Sequence, residues 1–119
     1  MKVLVVSEDP RTRDFVRLSV GSDVIYLDAA NGLEALKVAR DGEPDVVIAD
    51  ETTEPFGAFG LARELKMMSR PPRVIVLLER AQDDWLARWS GSDQWFVRPV
   101  DPFELAAAVR GELVETAKG

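Results

Sequence analysis

Five short, almost wholly apolar runs constrain the fold of this chain more than any other feature. The clearest is Asp45-Val46-Val47-Ile48-Ala49-Asp50, in which apolar side chains follow one another without alternating with polar ones. A strand of this kind must be covered on both faces, as in a parallel sheet flanked by helices. Similar runs occupy 3–6, 24–27, 73–78 and 94–97. Together they predict a five-stranded parallel sheet.

Each run is followed by a stretch with helical spacing. Asp9-Pro10, Asn31 and Asp101-Pro102 are typical helix starts, and Gly21 and Gly42 are typical ends. The segment 51–58 reads as a loop, and a shorter helix is predicted over 82–90. This alternation predicts one doubly wound α/β domain over 1–119, with helices on both faces of the sheet. The helical positions expected to face the core are Phe15, Val16, Leu18, Val20, Leu33, Leu36, Val38, Phe59, Ala62, Leu65, Met68, Phe103, Leu105, Val109 and Leu113.

Composition narrows the available chemistry. The chain has no cysteine and no histidine, so any reaction must use carboxylates, hydroxyls, lysine or arginine. Its net charge of −6 argues against direct binding of nucleic acid. No apolar run is long enough for a membrane span, and the N-terminal run is too short for a signal peptide. We therefore expect a cytoplasmic protein that acts on another protein.

Polar residues collect where the predicted strands end. Open parallel sheets bind ligands beyond the carboxyl ends of their strands, so side chains at these ends should lie together. A cluster of carboxylates there suits Mg²⁺, and Asp50 beside a metal could accept a phosphoryl group. The residues concerned are Ser7, Glu8, Asp9, Asp50, Leu78, Glu79 and Arg98.

Four motifs in order resemble those of the receiver domains of two-component response regulators. They are Val5-Val6 followed by acids near residue 8, the helix start Asn31-Gly32-Leu33-Glu34-Ala35-Leu36, the strand Val47-Ile48-Ala49-Asp50, and the run Trp95-Phe96-Val97-Arg98-Pro99. The resemblance covers about 3–114. It implies a flavodoxin-like fold, a phosphoacceptor at Asp50, a regulatory rather than enzymatic role, and a sensor histidine kinase or other signalling protein as partner.

The chain departs from this family around the phosphoacceptor. The family's acidic pair falls on Ser7 and Glu8, its Ser/Thr switch residue falls on Leu78, and its lysine falls on Arg98, which could pair with Asp50. Glu79 takes a position that the family gives to a small residue. The Mg²⁺ ligands implied are Glu8, Asp9, Asp50 and the backbone of Thr52, and Ser7 should weaken the site. We expect phosphorylation to be weak or absent and the signal to pass by protein contact, with a conventionally phosphorylated receiver as the alternative.

Three tryptophans provide a second candidate site. Trp85 and Trp89 are four residues apart and share a helix face, and Trp95 lies on the fifth predicted strand. Such a pair is either part of the core or an exposed contact. The resemblance places Trp89 on the surface of helix four, strand five and helix five, which receivers use for homodimers or effector domains.

Simpler roles exist for most site residues. Asp50 could cap the next loop, Glu8 and Asp9 could cap the first helix, and Arg98 could be a surface cation. A rival of another class is a small phosphatase with Asp50 as nucleophile, suggested by Asp50-Glu51-Thr52. That enzyme would lack a second aspartate two residues on and a cap domain.

Overall fold

The computed structural model describes residues 1–111, which form a parallel sheet covered by helices on both faces. The strands run in the order β2-β1-β3-β4-β5, and every pair is parallel. The elements in chain order are β1 (Lys2–Val6), α1 (Pro10–Val20), β2 (Ile25–Ala29), α2 (Gly32–Gly42), β3 (Val46–Asp50), α3 (Gly57–Lys66), β4 (Arg73–Leu78), α4 (Asp84–Trp89), β5 (Gln94–Val97) and α5 (Pro102–Val109). The predicted doubly wound, flavodoxin-like architecture is confirmed.

Two apolar layers separate the sheet from its helices. On one face α1 and α5 pack over Val5, Ile48 and Leu77. On the other face α2, α3 and α4 pack over Val47, Val76 and neighbouring residues. All five residues of β3 are buried, as its apolar run predicts. No helix within residues 1–111 is long and apolar enough to cross a bilayer.

Several predicted boundaries move by a few residues. β2 continues to Ala29 because the edge of the sheet can expose a polar residue such as Asp28, and Ser7 N donates to Ala29 O at 3.0 Å. α3 begins at Gly57, inside the predicted loop. α4 has only six residues and follows a 3₁₀ turn at Ala81–Asp83. The predicted core position Leu113 lies outside the described residues.

Three predicted core positions are wrong. Leu18, Leu33 and Phe103 are 85%, 64% and 84% exposed. Each lies two positions from a buried residue of the same helix, namely Val16, Ala35 and Leu105, and two positions correspond to about 200° around a helix. One side of each helix packs against the sheet, and these three apolar side chains lie on the opposite side.

Candidate functional site at the carboxyl edge of the sheet

The site is built around the last residue of the central strand. Asp50 ends β3, which pairs with β1 on one side and β4 on the other. The chain turns to opposite sides of the sheet from β1 and β3, so their carboxyl ends border the crevice where such sheets bind ligands. Asp50 is nevertheless only 6% exposed. Its carboxylate therefore depends on protein groups rather than water for its hydrogen bonds and charge pairing.

Both oxygens of the Asp50 carboxylate have a protein partner. Ser7, at the end of β1, donates its hydroxyl to Oδ2 at 2.5 Å and is itself 1% exposed. The guanidinium of Arg98 forms an ion pair with Oδ1 through Nη2, although this contact does not have hydrogen-bond geometry. The turn after β3 is closed by Thr53, whose hydroxyl donates to the Asp50 carbonyl at 2.6 Å.

Arg98 links the ends of three strands. Besides Asp50 it approaches Glu79, with 3.2 Å between Nε and Oε1, and it donates from Nη2 to Thr12 Oγ1 at 3.4 Å. Its side chain is 30% exposed. Burial lowers the pKa of Arg98, and the charge of Asp9 opposes this shift. The alternative of an isolated surface cation is therefore wrong, because Arg98 is half-buried and joins β3 to the loop after β4.

The two neighbouring acids Glu8 and Asp9 have different surroundings. Asp9 caps α1, with its carboxylate accepting from the backbone N–H of Arg11 at 2.9 Å. It also forms an ion pair with the Arg11 side chain at 3.3 Å, and these bonds lower the pKa of Asp9. Glu8 is exposed. Of the two alternatives for Asp9, the structure shows the cap.

An open cavity of about 380 Å³ lies beside Asp50. It is lined by Ser7, Glu8, Asp9, Ala30, Asp50, Thr52, Thr53 and Glu54, so it contains every residue that the resemblance assigns to Mg²⁺. Within residues 1–111, however, no three carboxylates come close enough together to hold a metal ion. Asp50 is paired with Ser7 and Arg98, and Asp9 with Arg11. These contacts compete with Mg²⁺ for the carboxylates of Asp50 and Asp9.

Leu78 lies at the end of β4 where the family has its hydroxyl. It is fully buried and packs in the same core cluster as Ala87 and Trp95. Its side chain therefore adds to the core and presents no hydrogen-bond donor to the cavity.

The sequence analysis missed a pair of carboxyl groups next to this site. Glu51 accepts from the backbone N–H of Glu79 at 2.7 Å and shares a hydrogen bond with Asp83. Burial, followed by this bond, raises the pKa of Glu51 to about 7. Arg80 pairs with Asp83 at 2.9 Å and holds the pKa of Asp83 below its ordinary value. The Arg80–Asp83 spacing was visible in the sequence, whereas Glu51 meets Asp83 only through the fold.

The tryptophans separate into one buried and two exposed residues. Trp95 is 7% exposed, whereas Trp85 and Trp89 are 61% and 57% exposed, so the core alternative for the pair is wrong. That Trp89 lies on the surface of α4, β5 and α5 stays a prediction. Its ring contacts Arg63 of α3, with 4.2 Å between the guanidinium carbon and the ring centroid. Ala87 is the buried position of α4, and Trp89 lies two positions on, about 200° around the helix from it.

Several known proteins that resemble this chain in sequence or in structure are response regulators. No family model matches the chain. The chain is 33% identical over 118 residues to a protein of Mycobacterium tuberculosis named as an uncharacterized response regulatory protein, covering 92% of this chain and 88% of the relative.

Solved structures show the same fold. Chemotaxis response regulator CheY4 of Vibrio cholerae has a TM-score of 0.83 at 24% identity, covering 94% of this chain and 98% of that one. A two-component response regulator of the LuxR family from Aurantimonas has a TM-score of 0.84 at 20% identity, covering 97% and 89%. With a relative of this identity and coverage, the chain belongs to the receiver domains of two-component response regulators.

Proposed function

We propose that this chain acts in the cytoplasm as a single receiver domain that signals by protein contact, with phosphorylation at Asp50 weak or absent. Receiver domains are regulatory rather than classical enzymes, which favours this function over the phosphatase alternative. The expected partner is a sensor histidine kinase or another signalling protein. The surface of α4, β5 and α5 is the candidate for a homodimer or effector contact.

One observation carries the proposal: both carboxylate oxygens of Asp50 are engaged within the protein. Ser7 holds Oδ2 and Arg98 holds Oδ1. Attack on a phosphodonor weakens these contacts, because the Asp50 carboxylate loses its negative charge when one oxygen bonds to phosphorus. A hydrogen bond to a charged group contributes about 1.5 to 3 kcal/mol. Losing such a bond raises the barrier to phosphorylation.

The surroundings also disfavour the phosphorylated state. Leu78 cannot donate a hydrogen bond to a phosphoryl group, so a charge-assisted bond is missing. Glu79 already pairs with Arg98 close to Asp50. A phosphoryl group carrying about −1.5 to −2 charge would compete with Glu79 for that guanidinium and would be repelled by its carboxylate. Because Ser7 and Arg98 compete with a metal for the Asp50 carboxylate, we propose that Mg²⁺ binds only weakly.

The experiment tests whether a phosphodonor or a phosphoryl analogue changes the conformation of the domain. The protein is treated with Mg²⁺ and beryllofluoride, or with a small phosphodonor, and its amide resonances are followed by NMR. We expect few shifts. Widespread shifts that vanish in Asp50→Asn would show a conventionally phosphorylated receiver and contradict the proposal.

A restored variant provides the positive control. Ser7→Asp, Leu78→Thr and Arg98→Lys together return the family's acid, hydroxyl and lysine around Asp50. We expect this triple variant to respond to beryllofluoride and Mg²⁺ where the natural chain does not. A triple variant that folds and also fails to respond would show that these three residues do not account for the weak response.

A further inference from the structure

We propose that a second surface, formed by Arg63 and Met67 of the α3 region and Trp85 and Trp89 of α4, binds an acidic amphipathic segment of a partner protein. We call these four residues the α3–α4 face. The inference rests on the proposed function insofar as the domain signals by protein contact. It shares α4 with the surface of α4, β5 and α5 but includes neither β5 nor α5, and it does not depend on Asp50.

The α3–α4 face exposes large apolar groups together. Met67 is 81% exposed, and the two tryptophans of α4 are each more than half exposed. Burying such groups on binding is favourable, and tryptophan is enriched among residues that dominate binding energy. Trp85 and Trp89 are four residues apart on α4, and Arg63 and Met67 are four apart at the end of α3, so each pair lies on one side of its own helix. Arg63 and Trp89 join the two pairs. A partner helix or extended segment can therefore lie along them.

Arg63 gives this face its charge preference. Its guanidinium stacks on the Trp89 ring at 4.2 Å and has no carboxylate partner among residues 1–111. Of the ten other arginines within residues 1–111, five pair with a carboxylate and five do not. What sets Arg63 apart is its position over an exposed tryptophan ring. The N–H groups of a stacked guanidinium lie in the plane of the guanidinium. Two of them can there donate parallel hydrogen bonds to one carboxylate.

Charge also argues against a symmetric dimer through this face. A two-fold interface brings the same patch of both copies together, and the four residues of the α3–α4 face include a cation and no acid. The neighbouring acids Glu64 and Asp84 are offset by about 100° around their helices from Arg63 and Trp85. A carboxylate of a different protein can pair with Arg63, and an acidic, partly apolar segment supplies both that carboxylate and apolar side chains to contact the two tryptophans.

A synthetic peptide tests this chemistry directly. The probe is an amphipathic 18-residue helix with leucine and phenylalanine on one side and glutamate beside them, and the matched probe has lysine for every glutamate. The full chain, labelled with ¹⁵N, is titrated with each peptide. The readouts are the three tryptophan indole N–H signals, assigned with single Trp→Phe variants. We expect saturable shifts at Trp85 and Trp89, small shifts at Trp95, and binding at least fivefold weaker for the lysine peptide.

Variants separate charge from packing. Arg63→Gln should weaken binding of the glutamate peptide at least fivefold, and Arg63→Lys should weaken it less. Arg40→Gln is the matched control, because it removes the same charge from an exposed position on α2 and should leave binding unchanged. Thermal unfolding of each variant verifies that it is folded.

Several outcomes would overturn the inference. They are no binding at millimolar peptide, equal binding of both peptides, equal effects of Arg63→Gln and Arg40→Gln, or shifts confined to β5 and α5. Self-association through the tryptophans without peptide would assign the face to a second copy instead. Activation by beryllofluoride at Asp50 would contradict the proposed weak phosphorylation while leaving this inference intact, so the two proposals fail separately.

Discussion

The carboxyl edge around Asp50 and the α3–α4 face use charged residues in opposite ways. At the edge, Arg98 is half-buried and its charge is met by Asp50 and Glu79 within the same chain. On the α3–α4 face, Arg63 lies over an exposed ring and meets no carboxylate within residues 1–111. Charged side chains that pair within the chain stabilise the fold, whereas exposed charged side chains without such a pair are available to a partner protein. The predictions below test this division.

The largest effect should come from removing the cation of the edge. Arg98→Met leaves the buried Asp50 charge without its partner. Breaking a fully buried pair costs about 3 to 5 kcal/mol. Because the Arg98 side chain is 30% exposed, we expect the free energy of unfolding to fall by about 2 to 3 kcal/mol. Urea denaturation measures it.

Arg17→Met is the matched control, because it removes an exposed pair with Asp28 and should cost less than about 1 kcal/mol. Equal losses in the two variants would show that the edge pair is no more important to stability than an ordinary surface pair.

Ser7→Ala should have the next largest effect. It removes the hydroxyl that donates to Asp50 Oδ2 at 2.5 Å, and we expect a loss of about 1.5 kcal/mol in the free energy of unfolding. Ser19→Ala is the comparison, since its hydroxyl donates to a backbone carbonyl of its own helix. If Ser7→Ala is no more destabilising than Ser19→Ala, the Asp50 carboxylate does not depend on this bond.

Glu51→Gln should change how stability depends on pH. Because the pKa of Glu51 is raised to about 7 in the folded chain from an ordinary 4.5, the unfolded chain loses this proton first. Stability should therefore decline as pH rises between these values. Glutamine cannot lose the proton, so the variant should be more stable than the natural chain at pH 8, by about 1 kcal/mol after allowing for partial solvation. Identical pH profiles of thermal unfolding for the two proteins would contradict the shift.

Trp89→Ala should have the smallest effect on stability. The ring is more than half exposed, and its stacking with Arg63 is worth about 0.5 to 1 kcal/mol. We expect a loss of that size by urea denaturation, together with loss of binding to the glutamate peptide. A loss above about 3 kcal/mol, which is typical of a buried aromatic residue, would place Trp89 in the core and remove the distinction between the two regions.

The fold could be predicted because burial on both faces leaves an unmistakable pattern in strands such as β3. Helix faces were harder. Leu18 and Phe103 are as apolar as their buried neighbours Val16 and Leu105, and only the shape of the sheet and the packing of α1 against α5 decide which side is covered. An apolar side chain on a helix can be buried, but its apolar character alone does not determine whether it is.

The site was predictable in its position and only partly in its contacts. Parallel topology brings Ser7, Asp50 and Arg98 to one edge, and opposite charge suggests that the last two pair. Asp9 could equally have been a metal ligand or a helix cap, because both need a carboxylate at the same place. The Glu51–Asp83 bond depends on how the loop after β4 folds back, which no local pattern encodes.

The ion pair between Asp50 and Arg98 changes how genetic experiments on this domain should be interpreted. Asparagine at position 50 would keep the shape of the Asp50 side chain and remove its charge. Asp50→Asn also releases Arg98, so its phenotype reports a disturbed strand edge as well as any loss of phosphorylation. Arg98→Met disturbs the same edge and keeps the acceptor. A phenotype shared by both alleles reports the ion pair, and one seen only with Asp50→Asn reports the modification.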